Sequence, residues 1–298
     1  MEKELFIAIL AGMGGMLGWG FADLFAKKTI DEIGDMASLA WAHIFGTLLF
    51  LIFVVYEFFL GGYEIVFPRN FESWILLIFF GVLKAIIYLL VYRGFGKGQV
   101  AVLNPVFASF SGLTAILSIL LFREVVSEHL VISLVILFFG VLIINIDIEA
   151  LRKKRVSFTN VSGFKEVALA TLLAAFWTLF WDKFIGGKDW LINAMLMYLF
   201  MTIFILLITK IQKINLLAIK NNIWKFLILI GLCETIAYLA VSSGYSLTSK
   251  TSIVAVLSGA FSLPTIIFAK IFLKEKISPI QTIGGVIIII GIILISLV

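Results

Sequence analysis

Charge is scarce in this sequence, and so are cysteine, proline and histidine. Asp, Glu, Lys and Arg make up 14% of the 298 residues, against roughly a quarter in an ordinary soluble domain. With 62% hydrophobic residues and a mean hydropathy of +1.16, a water-soluble globule could not cover its own surface. A soluble bundle with a greasy core would need a charged stripe along each outer helix, and none is present. The single Cys233 excludes an internal disulfide, and no metal-type Cys/His spacing occurs. There is no glycine-rich phosphate loop, zinc-protease motif or hydrolase elbow, and no soluble segment large enough to bind ATP. Neither an enzyme nor a cofactor is therefore expected, and any transport must run on a solute gradient, an ion gradient or exchange. The net charge of +5 is carried by short loops and not by a stripe, which argues against a nucleic-acid partner.

Long apolar runs are abundant. A helix crossing a bilayer needs about 20 apolar residues, and ten segments qualify, at about 6–26, 37–59, 72–92, 100–121, 129–147, 165–182, 190–209, 225–245, 250–272 and 279–298. The first lacks a small-x-small cleavage pattern and reads as a mature helix. Spans 2 and 7 are mostly apolar and are expected at the periphery. The longest polar connector separates residues 1–149, a first five-span unit, from residues 164–298, a second; 150–163 is the cytoplasmic connector.

The two units resemble each other. GVLKAIIYLLVYRGF (81–95) matches GLCETIAYLAVSSGY (231–245) at a spacing of 150, through Gly81, Tyr88 and Gly94 against Gly231, Tyr238 and Gly244. An odd number of spans per unit inserts the second copy upside down, the inverted-repeat plan of many secondary transporters. Of the 23 basic residues, 16 border the odd-numbered connectors and 6 the termini and even-numbered ones. The positive-inside rule then places the odd connectors in the cytoplasm and both termini outside, in a multi-pass plasma-membrane protein whose surroundings are membrane lipid.

Lys84 and Glu234 occupy the same place in the two copies, deep within spans 3 and 8. A charge at that depth is costly and should face protein or a water-filled cavity. Each is followed four residues later, on the same helix face, by a tyrosine, Tyr88 or Tyr238. One cation, one anion and two hydroxyl-bearing rings suit a zwitterionic small molecule, an amino acid above all. Lys84 would hold its carboxylate and Glu234 its ammonium. Glu234 is also a candidate for ion coupling, with protons as a candidate partner, and a structural ion pair between the two charges is the alternative. Asn104, whose amide needs partners, and Trp19 and Trp177, at similar depths in spans 1 and 6, complete the candidate binding set. His43 in span 2 is a weaker candidate. Asp23 is expected to pair locally with Lys27. Pro264 should bend span 9.

The runs GWGFADLFAKK (18–28), YRGFGKGQVAVLNPVFASFSGLTAILSILLFREVVSEHL (92–130) and GYSLTSKTSIVAVLSGAFSLPTIIFAKIFLKEKISPIQTIGGVIIIIGIIL (244–294) resemble the drug/metabolite transporter superfamily, in particular its ten-span members with two EamA domains. The resemblance covers nearly the whole chain. It implies an all-α membrane fold of two inverted five-helix units, with spans 3, 4, 8, 9 and parts of 1 and 6 around a central cavity. It also implies alternating-access movement of a metabolite, with export the expected direction, by a monomer or weak homodimer. A facilitative channel or exchanger and a membrane scaffold or sensor are the competing classes. Glu124 and Glu275 are read as helix-start residues rather than substrate contacts.

The charge asymmetry gives a direct test of orientation. With Cys233 replaced, a cysteine at Ser157 should resist a membrane-impermeant thiol reagent applied to intact cells, whereas one at Gly62 should be labelled. Labelling at Ser157 from outside would overturn the orientation.

Overall fold

In hydrocarbon every backbone N–H and C=O must be satisfied within the chain, so apolar runs of this length fold as helices. The computed structural model describes residues 2–97, 103, 106–144, 162–217, 219–272 and 277–297. These form α1 (Glu2–Ile33), α2 (Asp35–Phe59), α3 (Phe71–Lys97), α4 (Phe110–Phe122), α5 (Glu128–Ile144), α6 (Phe164–Ile185), α7 (Trp190–Ile211), α8 (Trp224–Leu247), α9 (Thr251–Gly259), α10 (Ser262–Phe272) and α11 (Pro279–Ser296). Among the described residues, 8 helical segments are long and apolar enough to cross a membrane, and Val106–Phe122 and Glu128–Ile144 are shorter apolar helices. The fourth expected span begins among residues 98–105, of which only Leu103 is described; Asn104 and Pro105 lie outside the described residues. Most of the connector 150–163 also lies outside them, as does Glu275.

Span 9 is two helices in line, α9 and α10. Pro264 has no N–H to give the Ala260 carbonyl, which accepts instead from Leu263 at 2.9 Å. The helix breaks there, as its proline requires. The Thr265 hydroxyl beyond the break donates to the Gly20 carbonyl of α1 at 3.0 Å.

The helices pair reciprocally across the two halves of the chain. α1 lies along α8, and α3 along α6; α2 packs on α8, and α7 on α3; α1 meets α9, and α6 meets α4. Three further pairs, α2 with α7, α4 with α9 and α5 with α11, join corresponding helices. Small residues make these approaches possible. A Cβ on Gly81 of α3 would fall 2.7 Å from Phe200 Cβ of α7, and one on Gly231 of α8 would fall 2.7 Å from the Gly46 nitrogen and 2.8 Å from Phe45 Cβ of α2. The repeated glycines thus do the same work in each half.

α7 departs from its expected place at the periphery. Its residues Leu191 to Tyr198 are all buried. Lipid tails are as apolar as a protein core, so hydrophobicity along a span cannot say which of the two it faces. Asp189 starts this helix, accepting from the Leu191 and Ile192 amides at 3.1 Å each. The same carboxylate accepts from the Tyr63 hydroxyl at 3.0 Å and the Val66 amide at 2.8 Å, which fastens the 60–70 connector to α7. Burial, followed by the Asp189 charge, pushes the Tyr63 phenol up to about 12, so it stays a donor at physiological pH.

Glu124 does sit at a helix start, but not that of α5, which follows it. It accepts from the Ser252 amide at 3.0 Å and the Ser252 hydroxyl at 2.6 Å. It therefore caps α9, in the other half of the chain, where a negative charge complements the helix dipole.

Because the glycine contacts set how closely the halves approach, Gly231→Ile should overpack the α2–α8 seam and cost about 1–3 kcal/mol. Thermal unfolding in detergent should show a lowered midpoint, while Gly186→Ala, whose added Cβ would meet the Asp182 and Lys183 carbonyls at 3.4 and 3.9 Å, should leave it in place.

Candidate functional site

α3 and α8 bring Lys84 and Glu234 into the interior, where the residues are 8% and 7% exposed. Lys84 is there because its neighbours one turn away on the same face, Phe80 and Tyr88, point to the same interior cluster. Its Nζ stands 4.1 Å from the centre of the Trp177 ring on α6, 5.7 Å from Tyr88 and 5.8 Å from Tyr238. A cation so placed is held by the ring quadrupoles, with a desolvated contact worth up to about 2 kcal/mol. Trp177 is fixed in turn by its own N–H, which donates to the Phe80 carbonyl at 2.9 Å.

Glu234 has different company. The Tyr198 hydroxyl of α7 donates to its Oε2 at 2.7 Å, and His43 Nε2 of α2 lies 3.8 Å from the same oxygen. The His43 ring stacks on Tyr198 with centroids 5.3 Å apart and meets Tyr88 edge-on at 5.5 Å. No salt bridge within 4.0 Å joins Lys84 to Glu234, although each feels the other's charge. The Tyr88 and Tyr238 hydroxyls approach each other at 3.4 Å, and Tyr238 also stacks edge-on against Tyr198 and Trp19, at 5.1 and 5.8 Å.

Six of the seven expected binding residues therefore share one cluster: Lys84, Tyr88, Glu234, Tyr238, Trp19 and Trp177. The seventh, Asn104, lies outside the described residues. The direct ion pair weighed as an alternative is not formed, because each charge has been given separate partners. The indole N–H of Trp19 is buried with no acceptor among the described residues.

Sequence reasoning passed over Tyr198 and underweighted His43. Tyr198 sits in an apolar run with nothing to mark it. A signal was available in the repeat, at a different register. Thr47 and Thr202 hydrogen-bond to each other at 2.8 Å, 155 residues apart, and each also bonds the carbonyl four residues before it, that of His43 or Tyr198. His43 and Tyr198 are likewise 155 apart. The helix-2 positions of the two halves correspond at that spacing and not at the 150 that aligns the tyrosines. The expected pairing of Asp23, one turn beyond Trp19 on α1, with Lys27 falls outside what is described. The Lys27 side chain is not among those described, and the Asp23 carboxylate is solvent-accessible and within electrostatic range of Glu234.

At the far end of α6 a second polar group forms. Asp182 is buried, 3.7 Å from Lys183 Nζ and near Thr251, and it feels the charge of Glu124. No group of three or more potential metal-ligating side chains occurs among the described residues.

Chemically, the central cluster offers a cation and an anion held apart by aromatic hydroxyls. A family model described as the EamA-like transporter family matches residues 6–146 and 162–297. A solved crystal structure has the same fold, with a TM-score of 0.78 over 97% of this chain and 97% of that chain at 15% identity. No curated protein matches the sequence.

The Tyr198–Glu234 contact predicts an energetic coupling. A hydrogen bond to a charged group contributes about 1.5–3 kcal/mol. In a cycle of Tyr198→Phe, Glu234→Gln and the double variant, unfolding in detergent should return a coupling of about 1–2 kcal/mol. Simple additivity would mean that the bond contributes nothing.

Proposed function

The chain belongs to the EamA-like transporter family, and from that premise we propose that it is a secondary transporter of a small zwitterionic metabolite, with amino acids favoured. Membrane transport follows from the family. The substrate class rests on the site. The observation that carries it is a buried lysine with no carboxylate within 4.0 Å among the described residues, placed across a tyrosine pair from a buried glutamate. A structural ion pair would bring the two into contact. A ligand carrying both charges satisfies them while they stay apart.

In this reading Lys84 takes the carboxylate, with the ring faces of Trp177 and Tyr238 beside it. Glu234 takes the ammonium, which the rings of Tyr238, Tyr198 and Trp19 also attract. The N–H of Trp19, without an acceptor among the described residues, is a donor for a polar atom of the ligand. Asp23 adds a second negative group on the ammonium side.

Alternating access requires a frame that can rock about a fixed site. The reciprocal helix pairing supports two inverted five-helix units related by an axis through the Thr47–Thr202 contact. The units are residues 1–149 and 164–298, in a plasma-membrane protein with both termini outside, as the basic connectors favour. Export is the direction that the family resemblance favours.

Purified protein in liposomes, screened with radiolabelled amino acids, nucleosides, sugars and organic cations, tests the reading. Amino-acid flux should be found, and Lys84→Met or Glu234→Gln should each lower it tenfold or more, the consequence of losing about 1.4 kcal/mol or more of binding. Amino-acid flux unchanged by both substitutions would sink the assignment.

A further inference from the structure

His43 is completely buried, at 0% exposure. Its Nδ1 lies 2.9 Å from the Leu39 carbonyl. A carbonyl can only accept, so Nδ1 carries a hydrogen, and in the neutral ring Nε2 is a bare acceptor. That nitrogen has no hydrogen-bond partner among the described residues. What it faces, at 3.8 Å, is a carboxylate oxygen, Glu234 Oε2. With both groups deprotonated, two lone pairs would oppose each other in a largely buried site. The hydrogen of Tyr198 is already directed at Oε2 and cannot mediate between them.

We propose that His43 and Glu234 together form a proton-binding site, which holds one proton when substrate is absent and releases it when substrate binds. The proton resides on Oε2, leaving a neutral imidazole beside a carboxylic acid. One acceptor has then become a donor and the opposition is removed. The separation is too long for a hydrogen bond, so the two groups are coupled through charge.

The surroundings bear on that charge from every side. α1 contributes Asp23, α3 contributes Lys84 and Tyr88, α7 contributes Tyr198, and α8 contributes Tyr238 and Cys233. Asp23 favours a positive charge in the site, and Lys84 opposes one. A substrate ammonium arriving at Glu234 brings the charge that the proton had supplied. The two compete for one carboxylate, which gives exchange of one proton for one substrate. This last step rests on the zwitterion reading; the proton site itself does not.

The closing experiment separates the two. Infrared difference spectra of the substrate-free protein, taken between acidic and alkaline pH, should contain the carbonyl stretch of a protonated carboxylic acid. That band should be absent from Glu234→Gln. Its titration midpoint should move by about one pH unit or more in His43→Gln, the size of effect expected when a neighbouring ionisable group is removed, whereas a merely structural histidine would leave it unmoved. In liposomes, a pH gradient should then drive amino-acid flux uphill in the wild type and fail to do so in His43→Gln. No change of the band in Glu234→Gln, or an unmoved midpoint in His43→Gln, overturns the proton site even if amino acids are carried. A band that behaves as expected, without amino-acid flux, upholds the proton site and overturns the substrate reading instead.

Discussion

Two opposite charges buried at the middle of a membrane bundle would ordinarily collapse onto one another. Each unpaired charge is costly there, and the pair would lower that cost at once. Here Lys84 is held on the face of Trp177 and Glu234 by Tyr198, while the Tyr88 and Tyr238 hydroxyls lie together at 3.4 Å. The cluster therefore stabilises each charge without cancelling it. A rotation of α3 against α8 that brought the two together would close the site to any ligand. The close glycine contacts of α3 on α7 and of α8 on α2 resist that rotation, because backbone so near a neighbouring helix has little room to turn.

The duplicated frame gives the site its polarity. Corresponding positions carry the same glycine and tyrosine where they set geometry, and unlike residues where the central charges gather: lysine against glutamate, histidine against tyrosine. A frame with identical residues in both halves would offer a zwitterion two equivalent orientations. Replacing one member of each pair makes one orientation better than the other, at no cost to the packing that the repeat provides.

The all-helical membrane fold and the burial of Lys84 and Glu234 in one cluster were legible because they rest on patterns along the chain: apolar length, a repeated motif, and charges where charge is expensive. The position of α7 was not, since a hydrocarbon solvent removes the amphipathic stripe that marks a buried face in water. Tyr198 was hidden for the same reason. Glu124 was read correctly as a helix-start residue but assigned to the helix that follows it; a cap on α9, 128 residues away, depends on how the halves meet. His43 was visible as the one imidazole deep within a span, yet its importance comes from what Nε2 faces, and that is a property of three dimensions alone.

The ties at the two ends of the bundle are unequal, and this bears on how a rocking frame would move. At one end Glu124 of the first half caps α9 of the second through two bonds to Ser252, with Ser118 donating to the same carboxylate at 2.7 Å, and buried Asp182 lies alongside. At the other end the halves are joined by Lys97 to Glu166 and Lys220 to Glu32, ion pairs whose lysines are 45% and 71% exposed. Exposed pairs contribute little and are screened by salt, whereas the half-buried Glu124 carboxylate would lose three donors at once. The exposed end is therefore the weaker tie between the halves. To open the capped end, something must replace the donors that Glu124 loses; water entering along the hydroxyl-rich start of α9, at Thr251 and Ser252, can do so. In the alternating-access reading proposed above, exchange between open states would be limited by the hydration of that capped end more than by the surface ion pairs.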